Sequence, residues 1–325
     1  MMREYSITGA TGFLGRHLVE SLTRRPDVSL RALVHRTPDN KLPRSENVSW
    51  VRGDLGDPGI AADLLTRGGT LIHLAYPGSW SPQAHLASIT QLARAAAEHG
   101  VQRVVHCSTA VVAGATPDEQ VRETTPPVPH TEYERSKLAL ESAWRVHATG
   151  RFDLVIARPS AVFGPGGRNL LKLADALSGG NPAVNYLRSS LFGSRRMNLV
   201  CISNVIAALE FLAEREEMFD GAAFLISDDD DPLNNFRDVE RILNREFGAA
   251  DYPLPPLPVP PVLLGLLLRL AGRSNANPQR VYDSARLQET GWRKTCGLEQ
   301  GLREFAAWYL SAHFSDRLSA HRHPT

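Results

Sequence analysis

The stretch Thr8-Gly9-Ala10-Thr11-Gly12-Phe13-Leu14-Gly15 decides how the rest of the chain is read. Just before it, Glu4-Tyr5-Ser6-Ile7-Thr8 mixes aromatic and β-branched residues and predicts a first strand. After it, residues 16–24 predict an amphipathic helix. A strand that turns through glycines into a helix offers free N–H groups and the positive end of the helix dipole to an anion. Gly9 suits the tight turn. Gly12 leaves room for backbone to approach a diphosphate, and Gly15 lets the helix lie close to the strand. The spacing is Gly-x-x-Gly-x-x-Gly rather than the commoner Gly-x-Gly-x-x-Gly. It predicts a dinucleotide site touched by Gly9, Thr11, Gly12, Phe13, Leu14 and Gly15.

Residues 29–34 predict a second strand, and the residues that end it choose the cofactor. An acid there would hold the ribose 2′-hydroxyl of NAD, whereas arginine accommodates the 2′-phosphate of NADP. The chain has His35 and Arg36 and no acid before Asp39, so NADP(H) is expected, with NAD(H) the alternative. Residues 48–51 form a third strand running into Gly53-Asp54-Leu55. A helix capped by Asp57-Pro58 would leave Asp54 free to accept a hydrogen bond from an adenine amino group. Residues 70–75 read as a buried strand whose end, Leu74-Ala75, lies over the cofactor.

Tyr133 and Lys137 are four apart in a segment, 131–146, rich in helix formers, so they share one helix face. A free tyrosine has a pKa of ~10, and a neighbouring ammonium lowers it. Such a pair can exchange a proton in a carbonyl–alcohol interconversion. Upstream, residues 101–110 predict a strand ending in Cys107-Ser108-Thr109, where a hydroxyl could hold the substrate oxygen.

In order, these motifs resemble the extended short-chain dehydrogenase/reductase family, the NAD-dependent epimerase/dehydratase group. The resemblance is carried by the glycine cluster, Asp54-Leu55, Leu74-Ala75, Ser108-Thr109, Tyr133-x-x-x-Lys137, Arg158-Pro-Ser-Ala-Val-Phe-Gly-Pro165, and Gly291-Trp292 after Asp283-Ser-Ala-Arg. It implies a Rossmann-type α/β fold: a doubly wound parallel sheet with a smaller C-terminal α/β substrate part. It implies Tyr133 as catalytic acid/base, and Lys137 on the nicotinamide ribose and tuning the tyrosine. Thr109, counted back from Gly114, takes the place of the family's catalytic Ser/Thr, with Ser108 the runner-up. Pro159, Ser160 and Val162 would flank the nicotinamide. It also suggests a homodimer formed by the Tyr133 helix and the helix near 84–99. The dinucleotide domain is expected over 1–164 with returning segments near 193–205 and 220–228. The substrate part is expected over 165–192 and 229–325.

The departures narrow the activity. Sugar 4,6-dehydratases follow the catalytic threonine with Asp-Glu, whereas here Ala110-Val111 follow Thr109 and cannot transfer a proton. Nucleotide-sugar enzymes often have asparagine where this chain has Ala161, and arginine where it has Met197, although Arg195 and Arg196 stand just before. Arg273 sits where a second diphosphate arginine is often found. The expected substrate contacts are Tyr76, Ala110, Arg168, Arg196 and Arg273. The expected activity is reduction or epimerisation at a secondary alcohol or ketone, foremost of a nucleotide-linked sugar. A hydrophobic hydroxy or keto compound, steroid- or flavonoid-like, is the alternative. A non-catalytic NADP sensor is a third reading, against which the Tyr–Lys pair argues.

The 325 residues, 42% hydrophobic, suffice for a full core and allow two domains. A net charge of +1 without a basic block gives no reason to expect nucleic acid or membrane-surface partners. Cys107, Cys201 and Cys296 have neither disulfide-framework nor zinc spacing, so no metal is expected. No signal peptide is legible at the start, and cytoplasm is the expected location. Asp228 to Asp231 reads as a solvated acidic loop. Residues 262–270 are too short to span a bilayer, which needs ~20 residues, and read as a buried helix beside the substrate. Residues 166–185, glycine-rich around an apolar helix, suit a mobile substrate loop.

Overall fold

The structure is a computed structural model. It describes residues 2–320 apart from Pro58, Ala250, Asp251, Pro253, Pro256, Pro258, Ala271, Arg273 and Ser274. The chain runs β1 (Arg3–Thr8), α1 (Phe13–Thr23), β2 (Val28–Val34), β3 (Val48–Arg52), α2 (Ile60–Leu64), β4 (Thr70–His73), α3 (Pro82–Glu98) and β5 (Arg103–Cys107). It continues β6 (Gln120–Val121), α4 (Glu132–Ala148), β7 (Asp153–Pro159), β8 (Ala161–Phe163), α5 (Leu171–Gly179), α6 (Pro182–Phe192), β9 (Leu199–Cys201), α7 (Ile202–Glu214) and β10 (Ala222–Ile226). It ends α8 (Phe236–Glu246), α9 (Pro261–Leu270), β11 (Val281–Tyr282), α10 (Ala285–Glu289) and α11 (Leu298–Ala320).

Seven strands form one sheet in the order β10-β7-β5-β4-β1-β2-β3, every pair parallel. The order reverses between β1 and β4, which is where a doubly wound sheet opens a crevice beyond its carboxyl ends. Val104, Val105, Leu154, Val155 and Ile156 are fully buried, as strands covered on both faces must be. The α1 residues Leu18, Val19 and Leu22 pack with α7 on one face, and Leu92, Leu140 and Trp144 of α3 and α4 cover the other. The strands β8 and β9 pair outside the main sheet.

Two ends of the sheet are tied by polar side chains. Thr8 Oγ1 meets His73 Nδ1 at 2.7 Å and accepts from the Ala75 N–H at 3.4 Å, which joins the ends of β1 and β4. Burial pushes the His73 imidazole down to about 3, so it is neutral. At the opposite edge, buried Arg103 donates to Asp153 Oδ2 at 2.6 Å and to the carbonyls of Leu212, Arg215 and Glu217. Asp153 Oδ1 accepts from the N–H groups of Phe219 and Asp220. Arg103→Ala would strand a buried carboxylate, a loss of about 3 kcal/mol or more. We expect thermal denaturation of this variant roughly 10 °C below the parent. An unchanged midpoint would remove the clamp from the account.

Several sequence expectations need correction. The first helix begins at Phe13 rather than Arg16, with Gly12 as its N-cap. Helix α4 extends to Ala148, past the segment 131–146 expected from its composition, and β7 starts at Asp153. Asp57 does not cap α2, whose N-cap is Gly59 with no side-chain bond, and Pro58 lies outside the described residues. The acidic run is solvated only in its second half, where Asp230 is exposed. Asp228 and Asp229 are buried and accept from Cys201 N–H, Asn204, Asn198, Asn234 and the Tyr282 N–H. The apolar helix expected within 166–185 is present as α5, and a second helix, α6, begins before the segment ends. Finally, α9 is largely exposed: Val262 is 86% and Leu270 78% accessible, and only Leu264 and Leu268 are buried. No helix among the described residues is long and apolar enough to cross a membrane.

Candidate active site

Two cavities adjoin at the carboxyl end of the sheet, sharing Thr11, Gly12, Phe13, Leu14 and Leu74. The first, about 610 Å³, takes Gly9 and Gly15 from the glycine turn, His35, Arg36 and Thr37 after β2, Asp54 and Leu55 after β3, and Ala75 and Tyr76 after β4. The second, about 720 Å³, takes Ser108, Thr109 and Val111 after β5, Tyr133 and Lys137 from α4, Pro159, Ser160 and Val162 after β7, and Arg16, Arg168 and Asn169. Every residue expected at the cofactor therefore lines one of the two.

The glycine turn has the geometry its spacing implies. Gly9 has φ +72°, and its carbonyl accepts the Gly12 N–H at 3.0 Å. A Cβ on Gly9 would stand 2.7 Å from the Ala75 nitrogen, and one on Gly15 only 2.1 Å from the Gly9 oxygen. The turn is a cradle that side chains would fill, with the first N–H groups of α1 facing it.

Thr131 caps α4 in a capping box: its side chain accepts from Glu134 N–H, and Glu134 Oε2 accepts from His130 and Thr131 N–H at 2.6 and 3.0 Å. This fixes the first turn of the helix, which carries Tyr133. The Tyr133 ring meets Tyr76 edge-on at 5.4 Å. Although Tyr133 is 44% exposed, lost hydration on its cavity side pushes the phenol up to about 12, and a hydrogen bond with Thr109 partly opposes this. Lys137, 5% exposed, donates to the Cys107 carbonyl at 3.2 Å and lies 4.5 Å from the Tyr76 ring centroid. Burial lowers its pKa. Lys137 is thus held by the end of β5 and the face of the Tyr76 ring.

Ser108 and Ser160 are buried, and neither hydroxyl has a hydrogen-bond partner among the described residues. An unpaired buried hydroxyl costs about 1–3 kcal/mol, recovered by a ligand that reaches it. With the glycine cradle, these two groups fit a dinucleotide, which Ser108 and Ser160 would help to hold.

Other expected residues behave differently. Asp54 lines the first cavity with company of its own: Oδ1 accepts the Gly56 N–H at 2.8 Å and Oδ2 stands 3.3 Å from His35 Nε2. Ala110 is 1% exposed inside the short 3-10 turn Ala110–Ala113, and Val111 faces the cavity in its place. Arg196 donates to the Asp231 carbonyl at 3.3 Å, outside both cavities, because its backbone bridges Asn235 and Pro278. Arg273 lies outside the described residues. Sequence reasoning missed Arg16 and Asn169. Starting the helix at Phe13 would have put Arg16 in its first turn, beside the glycines.

A family profile, the NAD dependent epimerase/dehydratase family, matches residues 5–226. The chain is 25% identical to a UDP-glucose 4-epimerase of Vibrio cholerae, covering 96% of this chain and 97% of that one. It is 28% identical to sterol demethylase protein B of Methylococcus capsulatus, covering 88% of each. Its fold matches the Bordetella bronchiseptica enzyme WbmH in complex with NAD+ with a TM-score of 0.71 at 19% identity, over 95% of this chain and 99% of that one. The profile spans the sheet from β1 to β10, with the glycine turn and the Tyr–Lys pair in place, and the chain belongs to the NAD dependent epimerase/dehydratase family.

Proposed function

We propose that the protein is a nicotinamide-dependent oxidoreductase that interconverts a secondary alcohol and a ketone, as a ketoreductase or within an epimerisation. The observation that carries this is one cavity wall on which Tyr133, Thr109 and Ser108 meet the glycine turn. The bound dinucleotide would supply or accept hydride. Tyr133 would donate its proton to the carbonyl oxygen in reduction and take it back in oxidation. The Thr109 and Ser108 hydroxyls would hold that oxygen. Lys137, fixed by the Cys107 carbonyl, would place an ammonium beside the dinucleotide and the tyrosine. Water loss of the 4,6-dehydratase kind lacks proton carriers here, since Ala110 and Val111 follow Thr109.

For the cofactor, NADP(H) is favoured by His35, Arg36 and Thr37 at the end of β2, while the fold neighbour's NAD+ keeps NAD(H) as the alternative. Arg36 is exposed on the cavity edge, where its fork can take a phosphate. Arg36→Ala should weaken NADPH binding by about 10- to 100-fold, the loss of one charge-assisted phosphate contact. NADH binding should hardly move. Fluorescence titration with both nucleotides reads this, and equal losses would assign Arg36 a structural role.

For the substrate, a nucleotide-linked sugar is supported by Arg16 and Arg168, both exposed and both reaching the second cavity, and by the epimerase relative. A hydrophobic hydroxy or keto compound is supported by a third cavity of about 1040 Å³, where Val262, Leu263 and Leu266 of α9 face Thr116 and His130. His130 on its wall directly precedes the Thr131 cap of α4, the helix that carries Tyr133, and one relative is named for a sterol. The test is NADPH and NADH consumption over a panel of keto sugars, UDP-sugars and apolar ketones. No turnover across the panel by a dinucleotide-bound protein would contradict the enzyme reading. We place a homodimer on the outer faces of α3 and α4, where Leu86 and Val146 are 41% and 74% exposed.

A further inference from the structure

We propose that Cys201 and Cys296 form an oxidisable dithiol site, which peroxide closes to a disulfide joining β9 to the start of α11. The two sulfurs lie 3.4 Å apart although the residues are separated by 95 positions. A disulfide needs ~2.05 Å, so an approach of roughly 1.4 Å closes the bond. Both thiols are free and buried.

The juxtaposition is built rather than incidental. Cys201 ends β9 and caps α7, and its N–H donates to Asp228 Oδ2 at 2.8 Å. Asn204, in the first turn of α7, grips Cys296 from both sides. Its Nδ2 donates to the Cys296 carbonyl at 2.9 Å and its Oδ1 accepts the Cys296 N–H at 3.0 Å. The same Nδ2 donates to Asp228 Oδ1, and Lys294 Nζ lies 3.2 Å from that oxygen. Both cysteine backbones are therefore pinned to one buried network, which holds the two thiols against each other. Gly301, in the first turn of α11, clears the space: a Cβ there would stand 2.7 Å from Cys201 Sγ.

The chemistry suits the pair. A thiolate at Cys201 keeps the Cys296 S–H as a hydrogen-bond donor, which holds Cys201 below the usual thiol range and Cys296 above it. The Cys201 thiolate would attack one peroxide oxygen, giving a sulfenic acid and releasing hydroxide, which takes up a proton to become water. The Cys296 sulfur would then attack the sulfenic sulfur and expel a second water. Two thiols lose two electrons and two protons, and hydrogen peroxide is reduced to two waters. A dithiol reductant reverses the change. Cys107, at the end of β5, is the internal control: burial pushes its thiol up to about 11, and it is apart from the pair.

The bond would have a consequence near the site. In register, Cys201 pairs with Phe163 of β8, the strand that carries Val162 into the catalytic cavity. Closing the disulfide would fix β9, and through it β8, to α11.

The experiment exposes the purified full-length chain to hydrogen peroxide and then alkylates it in denaturant. Expected are an intact mass lower by two hydrogens, one alkylated thiol per chain, and a crosslinked peptide pair containing Cys201 and Cys296. The thermal midpoint should rise by several degrees, as for a long closed loop, and return with dithiothreitol. Cys296→Ser should abolish the crosslink and the shift, while Cys107→Ser should keep both. Should Cys296→Ser fold poorly, Cys201→Ser carries the same expectation. Three alkylated thiols after peroxide, oxygen addition at Cys201 without a crosslink, or a crosslink through Cys107 would each overturn the proposal.

Discussion

Replacing Tyr133 with phenylalanine should lower turnover by about 10³-fold, within the range for loss of a general acid, while dinucleotide affinity stays within a few-fold of the parent. The substitution keeps the ring, so the edge-on contact with Tyr76 and the capped first turn of α4 survive. Only the proton carrier is lost. The raised phenol adds a direction. With a pKa of about 12 rather than ~10, Tyr133 holds its proton through neutral pH, the state that reduction needs. Alcohol oxidation needs the phenolate and should quicken as pH rises through the alkaline range, whereas ketone reduction should stay level at neutral pH. Steady-state rates in both directions check this. Turnover by the phenylalanine variant within tenfold of the parent would take the proton-transfer role from Tyr133.

Gly15→Ala should abolish measurable dinucleotide binding, a loss of more than about 100-fold, and destabilise the chain by about 1–3 kcal/mol through overpacking. The new methyl would stand 2.1 Å from the Gly9 oxygen and 2.7 Å from the Ala10 backbone. These are main-chain atoms, and the Gly9 carbonyl is already held by the Gly12 N–H. Helix α1 cannot retreat easily, because Leu18, Val19 and Leu22 are fully buried beneath it. The strain must fall on the turn that receives the phosphates. Gly179→Ala, where an added Cβ meets nothing within 4 Å, is the control and should leave binding and stability unchanged. Binding and denaturation curves for the two variants separate a local clash from a general loss of stability, and normal dinucleotide binding by Gly15→Ala would contradict the cradle.

What could be read from the sequence was what short-range chemistry fixes. The glycine spacing, the strand-forming runs of β4 and β5 and the helix formers of 131–146 each act within a few residues, and each produced the expected element. The errors came from partners far along the chain. Asp228 and Asp229 look solvated in a run of acids, but Asn198, Asn204 and Tyr282 bury them. The leucines of α9 read as core, yet Leu263 and Leu266 line an open cavity and Leu270 is left outside it. Arg196 was aimed at a substrate by resemblance, whereas the backbone bridge to Asn235 turns it toward Asp231. The approach of Cys201 to Cys296 depends on a glycine in α11 and an asparagine in α7, and no local pattern announces it.

The most direct test of the central claim is a titration of the purified full-length chain with NADPH and with NADH, followed by fluorescence and calorimetry. The account predicts saturable binding of at least one nucleotide at one site per chain, with NADPH the tighter and with binding lost in Gly15→Ala. A folded chain that bound neither nucleotide would contradict it.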